Sequence, residues 1–392
     1  MTQTVFLCAM RRTPIGRYGG ALAPVRPDDM AALVIDGLLD AHPALPVDEV
    51  IFGCANQAGE DNRNIARMAV LLSRLPVGVP ALTVNRLCAS GLDAVISGAR
   101  AIRDGADLVI AGGVESMSRA PFVMPKAGAA FSRAAEIYDT TIGWRFVNGR
   151  IARAHGIESM PETAENVAEA FAIARADQDG YALRSQQRYD AGWHEADIVA
   201  VPVRQGKAEV LVDRDEHPRA TTADKLAALP TRFRAGGTVT AGNAAGVNDG
   251  AAAVLLASGA AVARHGLVPL ARIGHAASAG VEPRLMGIGP VAAVERLVAR
   301  GARAPQDQDV IELNEAFAAQ VLACTRAWGL ADDDPRVNAR GGGIAMGHPL
   351  GMSGARIAGT AAQRLAEGGG VSALVTLCVG VGQGVALELL AV

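Results

Sequence analysis

The chain of 392 residues has few aromatic side chains, few charged side chains and no long apolar run. Aromatic residues make up 4% and charged residues 20%, whereas hydrophobic residues make up 50% and glycine occurs 45 times. A core with so few rings is built from Ala, Val, Leu and Ile, which favours tightly packed α/β layers. No apolar stretch approaches the roughly 20 residues that span a bilayer, so we expect no membrane association. The formal net charge is −3, so the composition does not indicate a basic surface for binding nucleic acid.

Cysteine is also scarce, with five residues scattered along the chain. An odd, scattered set argues against a disulfide framework and for a reducing compartment. No two cysteines have CxxC spacing, so we expect no structural zinc site and no bound metal. The N-terminal residues 1–10 lack a basic segment and turn polar at Arg11 and Arg12, which predicts a first strand and not a signal peptide. We therefore expect a cytoplasmic protein.

Short apolar runs alternate with alanine-rich segments of helical period at both ends of the sequence. Near the N-terminus the predicted strands are residues 50–54, 81–85 and 108–112, and the predicted helices are 27–41, 64–75 and 89–104. Near the C-terminus the predicted strands are 270–273, 309–313, 372–378 and 385–390, and the predicted helices are 291–300, 315–328 and 353–367. This alternation is typical of a parallel sheet covered by helices, so we expect two versions of one α/β architecture.

The region between these ends has a different composition. Residues 119 to about 238 are richer in charge and aromatics and have irregular apolar spacing. A large insertion of this kind commonly carries substrate recognition on a rigid scaffold. A predicted strand at 251–258 then returns to the first domain. We predict an N-terminal domain of residues 1–118 plus 248–268, an inserted loop domain of 119–247, and a C-terminal domain of 269–392.

Cys88 is the first candidate for chemistry, because it lies between a predicted strand and a predicted helix. A thiol at a helix N-terminus has its thiolate stabilised by free N–H groups and the helix dipole, and the thiolate is the nucleophilic form. The alternative is a buried and inert cysteine, which is a frequent fate of this residue type.

Two glycine-rich turns near the C-terminus carry the next candidates. His348 lies in the segment 341–354, which reads GGGIAMGHPLGMSG, and histidine is the commonest general base near neutral pH. Cys378 opens the segment 378–384, which reads CVGVGQG, where glycines such as Gly380 expose N–H groups as an oxyanion hole requires. The alternatives are a histidine that only bonds a turn carbonyl and a cysteine that only ends a strand.

Asn314 is the fourth candidate, in the segment 314–318, NEAFA, between a predicted strand and a predicted helix. Its functional interpretation is a polar group that holds a water or an oxyanion at the carboxyl end of the strand, where α/β sheets place ligands. The alternative is a helix N-cap.

Taken together and in this order, these four segments resemble the active-site blocks of the thiolase family, and the resemblance covers essentially the whole chain. The nucleophile block is the segment 85–92, NRLCASGL, and the others are NEAFA, GHPLGMSG and CVGVGQG. The segments 54–64, 113–124 and 139–148 further resemble the degradative 3-oxoadipyl-CoA thiolases of aromatic-compound breakdown, the β-ketoadipate pathway. Two positions depart from the family pattern: Arg340 stands where Asn is usual, and Ala245 where many members have Ser.

The resemblance implies a thiolase fold, with two similar βαβαβαββ domains packed as α/β/α/β/α layers and an inserted loop domain. It implies an acyltransferase that binds acyl-CoA and uses CoA as a co-substrate, with no covalently bound cofactor, and that forms a homodimer or homotetramer. Cys88 would attack the 3-oxo carbon, His348 would take the thiol proton, and Cys378 would act as acid and base. One oxyanion hole would use His348 and a water held by Asn314, and the other the N–H groups of Cys88 and Gly380. The implied contacts to substrate and CoA are Arg145, Arg219, Ala245, Met286 and Phe317.

Several alternatives remain open from the sequence. The nearest are an acetyl-CoA C-acetyltransferase acting on acetoacetyl-CoA and a broader 3-ketoacyl-CoA thiolase, which would use the same residues. A decarboxylating condensing enzyme is disfavoured, since Cys378 stands where those enzymes have histidine. A non-catalytic acyl-CoA or lipid-binding protein is disfavoured because Cys88 and His348 are both present. A terminal carboxylate on the substrate would suit arginines of the insertion, and the candidates are Arg133, Arg145, Arg150 and Arg153.

Overall fold

The structure is a computed structural model that describes residues 3–42 and 45–392. Met1 and Thr2, the start of the predicted first strand, lie outside the described residues. The strands are β1 Val5–Arg12, β2 Gly16–Arg17, β3 Glu49–Gly53, β4 Ala81–Val84, β5 Leu108–Ser116, β6 Phe122–Val123, β7 Tyr138–Asp139, β8 Val201–Gln205, β9 Ala208–Val212, β10 Asn248–Ser258, β11 Ala271–Gly280, β12 Val310–Leu313, β13 Ser372–Val379 and β14 Gln383–Leu390. The helices are α1 Pro27–Ala41, α2 Ile65–Leu72, α3 Ser90–Arg103, α4 Gly149–His155, α5 Met160–Ala170, α6 Arg175–Arg188, α7 Ala191–Glu195, α8 Ala223–Ala227, α9 Gly259–His265, α10 Gly289–Val298, α11 Ala318–Ala327, α12 Gly343–Met346 and α13 Leu350–Ala366.

The main sheet contains two halves with the same strand pattern. Its spatial order is β12-β13-β14-β11-β1-β10-β5-β3-β4, and β2 pairs with β10. In the N-terminal half β3 runs parallel to both β4 and β5, and in the C-terminal half β12 runs parallel to β13 and forms a parallel bridge between Ile311 and Val337. The halves meet where β1 pairs antiparallel with β11, at Phe6–Arg272 and Leu7–Ala271.

Three apolar clusters separate the layers of the fold. One joins α1 and α2 to the outer face of β3, β5 and β10, and another joins α10 and α11 to the outer face of the C-terminal half. The third lies between the halves and contains residues of α3, α13 and both sets of strands. The order is therefore α/β/α/β/α, which confirms the predicted fold class. The strands β5, β10 and β13 are buried along their whole length, as their continuous apolar sequence requires.

Glycines bring the two central helices into direct contact at their N-terminal ends. A Cβ at Gly91 would lie 2.5 Å from the carbonyl oxygen of Gly351, and one at Gly354 would lie 2.2 Å from the backbone nitrogen of Leu92. Any larger residue would push α3 and α13 apart. The turns that precede these helices are thereby held beside each other, and they carry Cys88 and His348.

The boundaries of some elements differ from the sequence prediction for local reasons. The helix predicted at 315–328 begins only at Ala318, because the buried Glu315 side chain accepts hydrogen bonds from Tyr181 and Ser185 and holds the preceding segment extended. Strand β11 continues to Gly280, beyond the predicted end at 273, since its small residues pair with β14. Tertiary pairing overrides the low strand propensity of alanine and glycine there.

The region between β5 and β10 contains the short hairpins β6–β7 and β8–β9 and the helices α4 to α8. A buried ion pair fastens it to the N-terminal half: Arg12 Nη1 lies 2.7 Å from Asp215 Oδ1, and Arg12 Nη2 donates to the His194 carbonyl at 2.7 Å. Within residues 3–42 and 45–392, no helix has the length and apolar character that crossing a membrane requires.

Candidate active site

Cys88 lies in a tight turn between β4 and α3. The 3₁₀ turn Leu87–Ala89 begins at a residue with a φ of +46°, which is unusual for a side chain other than glycine. Two hydrogen bonds hold it: Asn85 Oδ1 accepts from the Leu87 N–H at 2.9 Å, and the Ser90 hydroxyl donates to the Leu87 carbonyl at 2.6 Å. The thiol is thus fixed at the start of α3, where the helix dipole favours a thiolate.

The surroundings of Cys88 nevertheless keep its thiol protonated at rest. Burial raises the pKa of Cys88 to about 11, and the charge of Glu115 acts in the same direction. The backbone N–H of Gly380, directed at the sulfur, acts against this increase. Cys88 therefore needs a neighbouring base to become a nucleophile near neutral pH.

His348 is held by its backbone in the turn before α13. Its N–H donates to Asn248 Oδ1 at 2.9 Å. The preceding Gly347 has a φ of +106°, and a Cβ there would lie 2.6 Å from the Asn248 side chain. Only glycine allows both the left-handed backbone and this approach, so the glycine sets the position of the imidazole.

The hydrogen bonds of the imidazole ring assign its tautomer. His348 Nδ1 lies 2.6 Å from Ser353 Oγ, and the Ser353 hydroxyl donates to the Pro349 carbonyl at 2.9 Å. Because the serine proton is used there, His348 carries its own proton on Nδ1 and leaves the Nε2 lone pair unprotonated. Burial lowers the pKa of His348 to about 3, and the positive charge of Arg356 acts in the same direction. A neutral imidazole with an unprotonated Nε2 is a proton acceptor.

Asn314 lies at the carboxyl end of β12 and contacts the same imidazole. Its Nδ2 is 3.3 Å from His348 Nε2. Its Oδ1 is buried and has no hydrogen-bond partner in the described chain. The side chain does not cap α11, whose N-cap is Phe317. An unpartnered buried amide oxygen is suited to accept from a water or a bound ligand.

Cys378 lies near the end of β13 in an apolar environment. It is opposite Gly384 of β14 and packs with Met286 and Phe317. Burial raises the pKa of Cys378 well above its usual range, and the neighbouring Cys88 thiol adds to this effect. The Cys88 thiol is therefore close enough to influence the ionisation of Cys378, which holds its proton firmly.

The turn after Cys378 contributes backbone to the site. Gly380 lines the same cavity as Cys88, and Val381 and Gly382 have φ values of +62° and +80°. This left-handed turn reverses the chain into β14 and leaves the Gly380 N–H pointing at the Cys88 sulfur. The arrangement can donate to an oxyanion that forms beside that sulfur.

A cavity of about 230 Å³ opens onto Cys88. Much of its wall comes from the insertion, which contributes residues 140–145 and 158–160. Arg145 is half-buried and is the only cation among the described lining residues. Glu158 in the same wall is paired with Arg284, at 2.6 Å. Arg145 has no ion pair or side-chain hydrogen bond within the described chain, so its guanidinium is available to an anion in the cavity.

The other insertion arginines and the expected CoA contacts lie elsewhere. Arg133, Arg150 and Arg153 are exposed and do not line the cavity. Met286 and Phe317 pack beside Cys378. Ala245 donates its N–H to the Ala316 carbonyl at 2.9 Å, and Arg219 donates to the Ala241 carbonyl at 3.1 Å, so Arg219 contacts the loop that contains Ala245, next to the Phe317 segment.

Arg340, which departs from the family pattern, points away from His348. Its guanidinium is 2.9 Å from Asp190 and lies over the Trp193 ring, 5.4 Å from the ring centroid. Its carbonyl oxygen is 2.7 Å from His194 Nε2. The substitution therefore adds surface contacts and leaves the imidazole turn intact.

Sequence reasoning missed two buried carboxylates that support the site. Glu115 lies in the cavity wall and accepts from the N–H groups of Ala55, Asn56 and Gly351 at 2.9–3.0 Å, and burial raises its pKa to about 7. Glu315 accepts from Asn338 and from the Ile344 N–H, which positions the loop before His348. A charged residue inside an apolar strand, as at Glu115, was the available signal.

One group of potential metal ligands occurs within the described part of the chain. Ligand atoms of Cys54, Asp61 and Glu115 lie within 4.8 Å of one another. Glu115 already accepts three backbone hydrogen bonds, and Asp61 accepts one from Gly59. Burial raises the pKa of Cys54 well above its usual range, which keeps the thiol protonated and makes it a poor ligand.

Limiting iodoacetamide is expected to label Cys88 before any other cysteine. Cys88 is half-buried, whereas Cys8, Cys54, Cys324 and Cys378 are buried. Its labelling rate should rise with pH, because a thiol whose pKa is raised releases its proton only at higher pH. Peptide mass mapping after short exposure measures the order of labelling. First modification of Cys8, Cys54 or Cys324 would contradict this expectation.

Comparison with known proteins matches the whole chain to one family. The family model for the thiolase N-terminal domain matches residues 5–260, and that for the thiolase C-terminal domain matches residues 267–391. The chain is 57% identical to the beta-ketoadipyl-CoA thiolase of Pseudomonas aeruginosa, over 99% of both chains. It is 58% identical to the 3-oxoadipyl-CoA/3-oxo-5,6-dehydrosuberyl-CoA thiolase of Escherichia coli, over 98% of both, and 39% identical to the acetyl-CoA acetyltransferase of Syntrophomonas wolfei, over 99% of both.

Solved structures give the same result. The acetyl-CoA acetyltransferase of Bacillus anthracis superposes with a TM-score of 0.92 at 38% identity, covering 100% of this chain and 99% of that one. Human mitochondrial 3-ketoacyl-CoA thiolase in complex with CoA superposes with a TM-score of 0.90 at 37% identity, covering 100% of this chain and 98% of that one.

Proposed function

Because this chain belongs to the thiolase family, we propose that it cleaves 3-oxoadipyl-CoA with CoA to give succinyl-CoA and acetyl-CoA. The protein is an acyltransferase that uses CoA as a co-substrate. The specificity for a dicarboxylic acyl chain rests on one observation: the cavity at Cys88 contains a single cation, Arg145, without a carboxylate partner in the described chain. A guanidinium can bind a carboxylate through two parallel, charge-assisted hydrogen bonds. Relatives named as beta-ketoadipyl-CoA thiolases share 57% identity, against 39% for an acetyl-CoA acetyltransferase, which supports the same substrate.

The first half of the proposed reaction forms an acyl-cysteine. His348 Nε2 takes the proton of the Cys88 thiol, and the thiolate attacks the 3-oxo carbon. Breaking the bond between C2 and C3 leaves a succinyl group on Cys88 and expels the enolate of acetyl-CoA. Cys378 gives its proton to the enolate carbon, which completes acetyl-CoA.

The second half returns the enzyme to its starting state. Cys378 takes the proton of incoming CoA, whose thiolate attacks the succinyl thioester on Cys88. The released Cys88 thiolate recovers its proton from His348. Two thiols are needed, since one is covalently occupied while the other moves protons. Donors aimed at each developing oxyanion typically contribute about 3–4 kcal/mol each, and the candidates are the Gly380 and Cys88 N–H groups and a water held by Asn314 with His348.

An Arg145→Gln variant is expected to lower kcat/KM for 3-oxoadipyl-CoA about 10- to 100-fold, mainly through KM, because the tail carboxylate loses a charged partner. Activity with acetoacetyl-CoA, which has no carboxylate, should change little. Steady-state thiolysis of both substrates measures the difference. Arg153→Gln is the matched control, since Arg153 is exposed and lies outside the cavity wall.

The same experiment separates the alternatives. Equal losses on both substrates, or no loss with Arg145→Gln, would contradict a carboxylate site and favour a general short-chain thiolase or an acetyl-CoA C-acetyltransferase. The three-part division at residues 118, 247 and 268, the dimer or tetramer and the cytoplasmic location stay predictions.

A further inference from the structure

A second concave surface carries an unusual concentration of positive charge. It is a groove of about 780 Å³, and we call it the arginine groove. Its basic lining residues are Arg100, Arg103, Arg272, His275, Arg300 and Arg303. The protein as a whole has a net charge of −3, so this charge is local and does not reflect a generally basic surface.

The groove is remote from the Cys88 cavity. Arg100 and Arg103 lie in the last turn of α3, whereas Cys88 precedes its first turn. A helix of 14 residues is about 20 Å long, so the two sites lie at opposite ends of α3. Arg272 lies where β1 pairs with β11, which places the groove at the junction of the two halves of the sheet.

The arginines of the groove have no acidic partners within residues 3–42 and 45–392. All the ion pairs found there are made by arginines outside the groove. Glu388 is the one carboxylate among the described lining residues; it is buried and accepts the Arg303 backbone N–H at 2.9 Å. Five guanidinium groups thus face one carboxylate that already has a backbone partner.

Two of these guanidinium groups are held in place by the backbone. Arg103 Nη2 donates to the carbonyls of Ile273 and Gly274 at 3.3 and 3.1 Å, and Arg300 donates to the Ala276 carbonyl. The other three have no side-chain hydrogen bond in the described chain. Like charges held side by side repel one another, and an anion between them relieves that repulsion.

The remaining lining suits a small organic ligand better than a bare ion. Ala276 and Leu390 are half-buried apolar residues that contribute to the wall. The volume lies in the range of small-molecule sites, about 300–1,000 Å³. Guanidinium planes bind phosphates bidentately and also stack on aromatic rings. In a ligand with several phosphates and a flat base, the phosphates would bind the guanidinium groups and the base would lie against the apolar part of the wall.

We propose that the arginine groove binds a nucleotide carrying two or more phosphate groups, at a site separate from the thiolysis site. The shared chemistry is a base with two or more phosphate groups, which a free nucleoside triphosphate and the nucleotide end of CoA both possess. A long nucleic acid is disfavoured, since the net negative charge of the protein would repel the strand beyond the groove.

The test is isothermal titration of the full-length protein with ATP, with adenosine 3′,5′-bisphosphate, with inorganic triphosphate and with a short single-stranded oligonucleotide. The variant is Arg100→Gln/Arg272→Gln, which removes two exposed charges that make no hydrogen bond in the described chain. Its Kd for at least one nucleotide should rise about tenfold or more. Arg204→Gln is the matched control, because Arg204 is an exposed arginine on strand β8 and lies outside the groove. The thermal unfolding temperature should not fall in either variant, since neither removes an ion pair of the described chain.

The outcomes are distinguishable from those at the catalytic site. Tighter binding of ATP would identify a free nucleoside triphosphate as the ligand, and tighter binding of the bisphosphate would identify the nucleotide end of CoA. Unchanged thiolysis KM for CoA in Arg100→Gln/Arg272→Gln shows that the lost site is not the one used in turnover. Undetectable binding to the wild type, an equal loss in Arg204→Gln, or an unchanged Kd in the double variant would overturn the proposal. Binding of inorganic triphosphate as tight as that of either nucleotide, or tighter binding of the oligonucleotide than of ATP, would also overturn it.

Discussion

A Cys88→Ala variant is expected to lose thiolysis of 3-oxoadipyl-CoA by at least about 10⁴-fold, because removing a covalent nucleophile leaves only binding and oxyanion stabilisation. Cys88 is the only thiol among the described residues that line the cavity. After a pulse of 3-oxoadipyl-CoA without free CoA, the wild type should gain the mass of one succinyl group, mapped to the peptide containing Cys88. The variant should gain none.

Cys8→Ala is the matched control for this experiment. Cys8 is a buried cysteine on β1 that does not line the cavity, so its variant should still form the acyl-enzyme and turn over. Circular dichroism of both variants checks that each is folded. Succinylation of Cys54, Cys324 or Cys378 in Cys88→Ala, together with substantial turnover, would show that another thiol is the nucleophile.

A Cys378→Ser variant should separate proton transfer from covalent chemistry. A serine hydroxyl is far less acidic than a thiol, so protonation of the enolate and deprotonation of CoA both slow, by about 10²- to 10⁴-fold in turnover. The nucleophile remains, and prolonged incubation with 3-oxoadipyl-CoA should therefore still produce succinyl-Cys88. Burial raises the pKa of Cys378 well above its usual range, so the wild-type thiol already holds the proton that the enolate needs.

The informative comparison is between the two cysteine variants. Cys378→Ser should accumulate acyl-enzyme without fast turnover, whereas Cys88→Ala should do neither. Near-wild-type turnover by Cys378→Ser would show that the second thiol is not an acid and base. Stopped-flow measurement of acetyl-CoA release, with and without CoA, measures the two half-reactions separately.

The sequence predicted the layered fold because its signals are local and repeated. The apolar runs that became β3, β5 and β13 and the periodic segments that became α1 and α3 can be recognised from adjacent residues alone. The position of Cys88 followed from the strand and the helix predicted on either side of it, and the position of His348 from the glycines and the proline of its turn. Family resemblance then assigned roles to these residues that composition and spacing alone left open.

Other features depend on residues far apart in the sequence. The tautomer of His348 follows from Ser353 and Pro349, and its backbone position from Asn248, a hundred residues earlier. Four arginines of the insertion were equivalent candidates for a carboxylate, and only the folded chain places Arg145 in the cavity and leaves the others exposed. The tautomer of a histidine and the position of one arginine depend on tertiary packing, which cannot be deduced from the periodicity of the sequence.

The contact between α3 and α13 has a consequence for how this protein can change. Cys88 and His348 immediately precede helices that are enclosed between two sets of strands, and the close approaches at Gly91 and Gly354 leave no space there for larger side chains. A substitution in that layer disturbs folding and reactivity at once. The wall around the acyl tail comes instead from an outer segment with exposed neighbours, such as Ile142 and Phe146. Substitutions in this outer wall can therefore change the preference for the acyl chain, while the residues that break the carbon–carbon bond stay the same.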